Sequence, residues 1–194
     1  MLSKLPRSFY LGSTLQVARQ LLGDLIVRNY HGTKLIGKIV EVEAYRGSID
    51  PASHAYRGKT KRNEVMFWEG GHLYVYFTYG MHFCANVVTR QEGIAEAVLI
   101  RGVEPIRGME VMRRLRGKRV RDEDLTNGPA KFCQAFAIKR TENGINLLGD
   151  QVYLVRGKRI QRAEVGVSTR IGIRTGVEKK WRFFVKGNRW VSRK

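Results

Sequence analysis

Short segments with the alternating polarity of β-strands dominate the sequence between residues 25 and 101, and they constrain the fold more than any other feature. Period-two alternation and β-branched or aromatic residues predict strands at residues 25–27, 35–45, 72–78, 83–88, 95–101, 153–155 and 181–185. Helical periodicity is confined to residues 14–22, 106–116 and 129–137. Because strands and helices do not alternate strictly, the pattern favours an α+β fold with a mostly antiparallel, curved sheet and flanking helices.

Length and charge narrow the classes of protein further. With 194 residues we expect a single domain over residues 1–194, and 43% hydrophobic and 27% charged residues exclude a disordered chain. The formal net charge is +19, of which residues 1–100 contribute +4 and residues 101–194 contribute +15. A polyanion is therefore the first partner to consider, although a solvated basic surface would give the same composition.

The sequence contains no sign of a membrane segment, a disulfide framework or a metal site. No apolar run approaches the roughly 20 residues that span a bilayer, and the first residues lack the hydrophobic stretch of a secretory signal. Cys84 and Cys133 match no zinc spacing, so we predict two reduced, buried thiols. We expect a cytoplasmic protein, nucleoid-associated in a bacterium, with no membrane partner, no metal and no cofactor.

One predicted strand places charged and aromatic side chains on a single face. Because side chains alternate along a strand, Glu41, Glu43 and Tyr45 lie on the same face of residues 35–45. The simplest interpretation is a solvent-exposed face, but His54 follows in the next loop. Three tyrosines come soon after, at Tyr74, Tyr76 and Tyr79. These neighbours favour a functional face.

Aromatic side chains interleaved with basic ones are typical of nucleic-acid binding, because cations bind phosphates and rings stack on bases. The same aromatic run also fits a half-buried strand, and a single histidine is more often structural. Composition and patterning therefore predict a basic α+β protein that binds nucleic acid, either as an enzyme or as a non-catalytic protein that coats or bends DNA.

The chain also contains a series of longer motifs. They are IVEVEAY at residues 39–45, DPASH at 50–54, LYVYFTYGM at 73–81, CANV at 84–87, AVLIR at 97–101, LTNGP at 125–129, KFCQA at 131–135, RIGI at 170–173 and WRFFV at 181–185. In this order they resemble the motifs of the alkyladenine DNA glycosylases, also called 3-methyladenine or methylpurine DNA glycosylases. The resemblance extends from about residue 15 to residue 192.

The resemblance implies a monofunctional purine DNA glycosylase of base excision repair. Such enzymes rotate a damaged purine out of duplex DNA and hydrolyse its N-glycosidic bond with water, leaving an abasic site. Expected substrates belong to the class of 3-methyladenine, 7-methylguanine, hypoxanthine and ethenoadenine. We expect a monomer whose partner is double-stranded DNA containing damaged purines. The alternative is a non-catalytic basic DNA-binding protein.

The same resemblance assigns roles to individual residues. Glu43 matches the catalytic carboxylate that activates a water, and Arg101 matches the arginine beside the target phosphate and that water. The base sandwich corresponds to Tyr45, His54 and Tyr76. Asn86 matches the position that disfavours unmodified guanine.

The remaining assignments concern the DNA surface. Tyr79, in the turn of a protruding β-hairpin with Gly80, matches the wedge that enters the minor groove, and Met81 is expected to be a second groove contact. Lys131 is expected to contact a phosphate. One departure from the family pattern is Gly102, where an alanine is usual.

Overall fold

The fold is organised around one long central strand. The computed structural model describes residues 3–117 and 119–192. The strands are β1 (Leu25–Tyr30), β2 (Thr33–Arg46), β3 (Leu73–Thr78), β4 (His82–Thr89), β5 (Glu96–Arg107), β6 (Val152–Val155), β7 (Val165–Ser168) and β8 (Arg182–Val185). The α-helices are α1 (Arg7–Tyr10), α2 (Thr14–Leu21), α3 (Met109–Arg116) and α4 (Pro129–Ala135). Short 3₁₀ turns lie at Gly47–Ile49, Glu64–Phe67, Asp122–Asp124, Arg140–Glu142 and Arg162–Glu164.

Every strand pairing among these residues is antiparallel, in the order β3-β4-β5-β2-β1-β6. One edge of β2 pairs with β5, while the other edge pairs first with β1 and then with β8, which also pairs with β7. The β2–β5 register shifts on both sides of Glu41, and such a bulge bends a strand and changes the direction of its side chains. The predicted α+β fold with a mostly antiparallel sheet is confirmed.

The hydrophobic core decides which face of β2 is available for a site. Val42 and Ala44 of β2 are buried in the main core, together with Phe183 of β8 and apolar residues of α2 and α4. In α2, Val17, Ala18 and Leu21 recur at helical spacing and are buried. Since side chains alternate along a strand, this packing directs Glu41, Glu43 and Tyr45 to the opposite face. Cys84 and Cys133 are both buried and unbridged, as predicted.

Two helices have bounds that differ from the sequence prediction, and two short elements were not predicted. The helix predicted at 106–116 begins at Met109, because Ile106 and Arg107 continue β5 and Gly108 (φ 85°) then turns the chain. The helix predicted at 129–137 ends at Ala135. β7 and the single turn α1 were not predicted, because segments of four residues are too short to display a period. Within the described residues no helix has the length and apolarity needed to cross a membrane.

Candidate active site

A cavity of about 370 Å³ opens on the face of β2 that carries Tyr45. Its volume falls in the lower part of the range for ligand sites, roughly 300–1,000 Å³. The wall is built from the loop after β2, from β3, β4 and β5, and from the segment 171–175. The predicted site residues in this wall are Tyr45, His54, Tyr76, Tyr79, Asn86 and Arg101. The fold thus assembles side chains that are distant in the sequence around one cavity.

Glu43 lies directly behind this wall and is fully buried. Its Oε1 accepts a hydrogen bond from the backbone N–H of Ile171 at 2.7 Å, and its Oε2 accepts one from the Tyr45 hydroxyl at 2.9 Å. The Arg101 guanidinium forms an ion pair with Oε2 at 3.4 Å. Burial raises the pKa of Glu43, while Arg101 and the two hydrogen bonds act to lower it. These contacts hold a basic carboxylate in one orientation beside the cavity.

Glu41 is equally buried but is bound by structural partners. Its Oε1 accepts from Arg101 Nε at 3.1 Å and from Arg182 Nε at 2.6 Å. Ser192 donates to the same carboxylate through its N–H at 2.6 Å and its hydroxyl at 2.8 Å. The solvent-exposed interpretation of this strand face is therefore wrong. Because Arg101 contacts both carboxylates, Glu41 helps to position Arg101 beside Glu43.

The same region explains Gly102. A Cβ at this position would lie 2.6 Å from the carbonyl oxygen of Trp190 and 3.1 Å from the Cβ of Glu41. Glycine therefore allows the segment that carries Ser192 to approach β5 closely.

His54, Tyr74 and Tyr76 form an aromatic cluster in the wall. The rings of His54 and Tyr76 meet edge to face at 4.4 Å between centroids, and His54 Nδ1 lies 3.0 Å from the Tyr74 hydroxyl. Desolvation, with a smaller contribution from Arg62, lowers the pKa of His54 to about 4, although the residue remains partly accessible to solvent. The imidazole is therefore neutral at pH 7. Neutral imidazole can donate to or accept from Tyr74, depending on its tautomer.

Asn86 on β4 is a fixed part of the inner wall. Its Nδ2 donates to the carbonyl of Tyr74 at 3.1 Å, and the residue is buried. This hydrogen bond to the neighbouring strand orients the amide, so that Asn86 presents a defined polar edge to a ligand in the cavity.

The β3–β4 turn carries two of the predicted DNA contacts away from the core. Tyr79 (φ 51°) and Gly80 (φ 68°) both adopt left-handed conformations, and the Met81 N–H donates to the Thr78 carbonyl across the turn. Tyr79 is 82% exposed and Met81 is 70% exposed. Tyr79 also borders the cavity. An exposed tyrosine thus borders the cavity, and an exposed methionine lies two residues further along the turn.

Lys131 is not part of the cavity wall. Lys131 lies on the first turn of α4. Its ammonium group donates to Asn127 Oδ1 at 2.7 Å and to Asp124 Oδ1 at 3.0 Å. Within residues 3–117 and 119–192, no three His, Cys, Asp or Glu side chains are grouped to hold a metal ion.

Several residues at the site were not predicted individually. Ile171 and Ser192 act through backbone N–H groups, and Asp50, Arg170 and Arg182 form buried ion pairs. Asp50 and Arg170 do stand as lone charges in the motifs DPASH and RIGI, but no local pattern shows that they pair across 120 positions.

Comparison with known proteins supplies the family. A family model described as "Methylpurine-DNA glycosylase (MPG)" matches residues 8–189. The chain belongs to the methylpurine-DNA glycosylase family. A methylpurine-DNA glycosylase hydrolyses N-glycosidic bonds in DNA, so the protein is an enzyme of DNA repair with a DNA substrate.

Bacterial methylpurine-DNA glycosylases are similar to the chain over nearly its full length. A protein of Carboxydothermus hydrogenoformans, named "Putative 3-methyladenine DNA glycosylase", is 52% identical over 98% of this chain and 99% of its own. Proteins with the same name in Clostridium acetobutylicum and Burkholderia cenocepacia are each 46% identical, over 97% and 96% of this chain and 97% and 90% of their own. The family membership suggested by the sequence motifs is confirmed.

Proposed function

We propose that this methylpurine-DNA glycosylase rotates a damaged purine nucleotide out of duplex DNA into the cavity and hydrolyses its N-glycosidic bond with a water activated by Glu43. One observation carries the proposal: a buried carboxylate, paired with Arg101, lies directly behind an aromatic cavity whose entrance is marked by the exposed Tyr79. Base flipping is required because the bond to be cleaved is inaccessible inside the duplex.

In the proposed step the water oxygen attacks C1′, Glu43 accepts a proton from that water, and the base departs with the electrons of the glycosidic bond. A carboxylate has about four acceptor positions, so the contacts with Tyr45, Ile171 and Arg101 leave capacity for one water. The anionic carboxylate also stabilises the oxocarbenium-like sugar. Arg101 lines the cavity and is the proposed contact for the target phosphate.

The aromatic wall supports selection of alkylated bases. Many N-alkylated purines are cations, and an electron-rich ring attracts a desolvated cation by up to about 2 kcal/mol. We assign Tyr45 to one side of the base, and His54 and Tyr76 to the other. His54 is neutral at pH 7 and so does not repel a cationic base. Asn86 is the proposed group that disfavours unmodified guanine through its 2-amino group.

The DNA-binding surface follows from the same geometry. Tyr79 is the proposed wedge, with Met81 beside it as a second minor-groove contact. Lys131 is proposed to contact a phosphate, for which it must exchange its hydrogen bonds with Asp124 and Asn127. We propose that the protein acts as a monomer on damaged duplex DNA, in the cytoplasm of a bacterium at its nucleoid.

The test is base release from an end-labelled duplex that contains one damaged purine, followed by alkali to cleave the abasic sites. Glu43→Gln is nearly isosteric and removes the carboxylate that accepts the proton. We therefore expect excision to be lost while binding to damaged duplex persists. Glu104→Gln is the matched control, because Glu104 pairs with Lys38 away from the cavity.

Separate reactions with 3-methyladenine, 7-methylguanine, hypoxanthine and ethenoadenine, with and without chelator, define the substrate range and metal dependence. Excision by Glu43→Gln at the parental rate would contradict the proposal that Glu43 activates the water. Loss of excision on chelation would contradict the metal-free mechanism. Binding without excision of all four bases by the parent would favour the non-catalytic alternative.

A further inference from the structure

A fully buried ion pair lies immediately behind the cavity. Arg170 NH1 and NH2 donate to Asp50 Oδ2 at 2.5 Å and Oδ1 at 2.7 Å, and neither side chain is exposed. This fork-to-carboxylate geometry is the strongest form of the contact. Neither residue is part of the cavity wall, and the steps proposed above use neither of them.

The pair joins three segments that each carry part of the site. Arg170 NH1 also donates to the carbonyl of Ala44, between Glu43 and Tyr45. Asp50 accepts from the backbone N–H groups of Arg46 and Ala52, both at 3.2 Å, and so shapes the loop that leads to His54. Ile171, which donates to Glu43, follows Arg170 directly in the chain.

The guanidinium of Arg170 also stacks on aromatic rings. It lies 4.6 Å from the ring centre of Tyr45 and 5.2 Å from that of Trp181. Tyr45 lines the cavity and Arg170 does not, so the guanidinium covers the ring face turned away from the cavity. A base stacked on the open face at about 3.5 Å would lie roughly 8 Å from the guanidinium.

We propose that the Arg170–Asp50 pair is a specificity element. It packs against the face of Tyr45 turned away from the cavity without adding net charge, so that the cavity accepts cationic bases. Arginine on the ring holds Tyr45 in place, but an uncompensated arginine at this distance would repel a cation through the protein interior. Asp50 cancels that charge. The inference rests on the proposed function, in which the damaged base stacks on Tyr45.

The test compares excision of a cationic base with excision of a neutral one. Asp50→Asn removes the negative charge of the pair and keeps the guanidinium of Arg170. We expect the single-turnover rate on 7-methylguanine, divided by that on hypoxanthine, to fall roughly tenfold. The double variant Asp50→Asn/Arg170→Gln restores a neutral pair and should return this ratio to within about twofold of the parent. If one of the two bases is cleaved too slowly to time, the ratio of the affinities for the two damaged duplexes replaces the ratio of the rates.

Glu142→Gln is the matched control, because it removes a carboxylate from the buried Arg28–Glu142 pair (2.8 Å), which is not part of the cavity wall. It should lower thermal stability and leave the ratio unchanged. A ratio within about twofold of the parent in folded Asp50→Asn would overturn the inference. If Asp50→Asn does not fold, the double variant is measured instead. A tenfold change of the ratio in the double variant would overturn the inference. If the parent protein excises damaged bases and the variants keep its ratio of rates, this inference alone is refuted. If the parent protein excises no damaged base, the proposed function is refuted.

Discussion

Glu41 and Glu43 are the same residue type, two positions apart on the same face of β2, yet they have different surroundings. Glu43 touches the cavity wall through Tyr45 and Ile171, and Glu41 is enclosed by Arg101, Arg182 and Ser192. The bulge beside Glu41 and the C-terminal segment packed on Gly102 produce this difference. One carboxylate is the proposed proton acceptor, and the other holds an arginine.

The first prediction separates stability from chemistry. Glu41→Gln should lower the free energy of unfolding by about 3–5 kcal/mol, because it leaves two buried arginines without their shared carboxylate. Glu104→Gln breaks a half-exposed pair with Lys38 and should cost less than about 1 kcal/mol. Urea denaturation measures both values. Equal, small losses would show that the network around Glu41 contributes little.

The second prediction concerns pH. Glu43 must be ionised to accept a proton, and burial raises its pKa above the ordinary 4.5. The excision rate should therefore fall as pH decreases through the raised pKa, with the midpoint of the acid limb above pH 4.5. Single-turnover rates against pH give the midpoint. Glu104→Gln should keep this limb, and a parental rate that stays constant down to pH 4.5 would contradict the assignment.

The hairpin formed by β3 and β4 joins the cavity to the protein surface. Its strands contribute Tyr74, Tyr76 and Asn86 to the wall, and its turn exposes Tyr79 and Met81. Left-handed residues at both central turn positions match the right-handed twist of the strands, so the turn places Tyr79 without disturbing the wall.

The third prediction tests the wedge. Tyr79→Ala should weaken affinity for damaged duplex roughly ten- to hundredfold, since the few kcal/mol lost on unstacking are no longer offset by an inserted ring. The melting temperature should not change, because Tyr79 is 82% exposed. Tyr79→Phe keeps the ring and should retain affinity. Fluorescence anisotropy measures binding, and unchanged affinity in Tyr79→Ala would remove the wedge role.

Charge acts over the entire surface. Most of the net charge of +19 comes from residues 101–194, which include the segments that follow β5. Such a field attracts duplex DNA of any sequence, whereas the proposed function assigns selection of the base to the cavity. In this proposal, affinity and base selection depend on different parts of the molecule.

The fourth prediction follows from this division. The logarithm of duplex affinity should fall linearly with the logarithm of salt concentration, with a slope of about −0.9 per neutralised phosphate. If Lys131 contacts a phosphate, Lys131→Gln should make the slope shallower by about one unit. Titrations at several salt concentrations measure both slopes. A parental slope near zero would contradict docking through the basic surface, and an unchanged slope in Lys131→Gln would remove that contact.

Local patterns were sufficient for most of the fold. Alternation predicted the strands from residue 25 to residue 101, and helical spacing predicted α2 and α4. The predicted start of α3 was wrong because Ile106 and Arg107 belong to β5, in which Arg107 pairs with Ile36 of β2, a distant segment of the chain. Tertiary pairing overrides local propensity in such borderline segments.

For the site, the sequence indicated its residue types through alternation on β2 and through motifs that run in the family's order. Each motif is local, since it depends on neighbours within a few positions, and the roles of the individual residues came from the family resemblance. Together these signals were enough to predict Glu43, Tyr45, His54 and Tyr76 as one site, and the structure brings all four together at the cavity.

Burial, pairing and charge state depended on segments that are distant in the chain. Glu41 is enclosed only because Ser192 packs against it, and the ion pair behind Tyr45 joins Asp50 to Arg170 across 120 positions. Oε1 of Glu43 accepts its hydrogen bond from the N–H of Ile171, which is also distant in the chain. Side-chain identity specifies what a group can do, but its pKa and partners depend on desolvation and on charges within a few ångströms. Those distances exist only once the chain has folded.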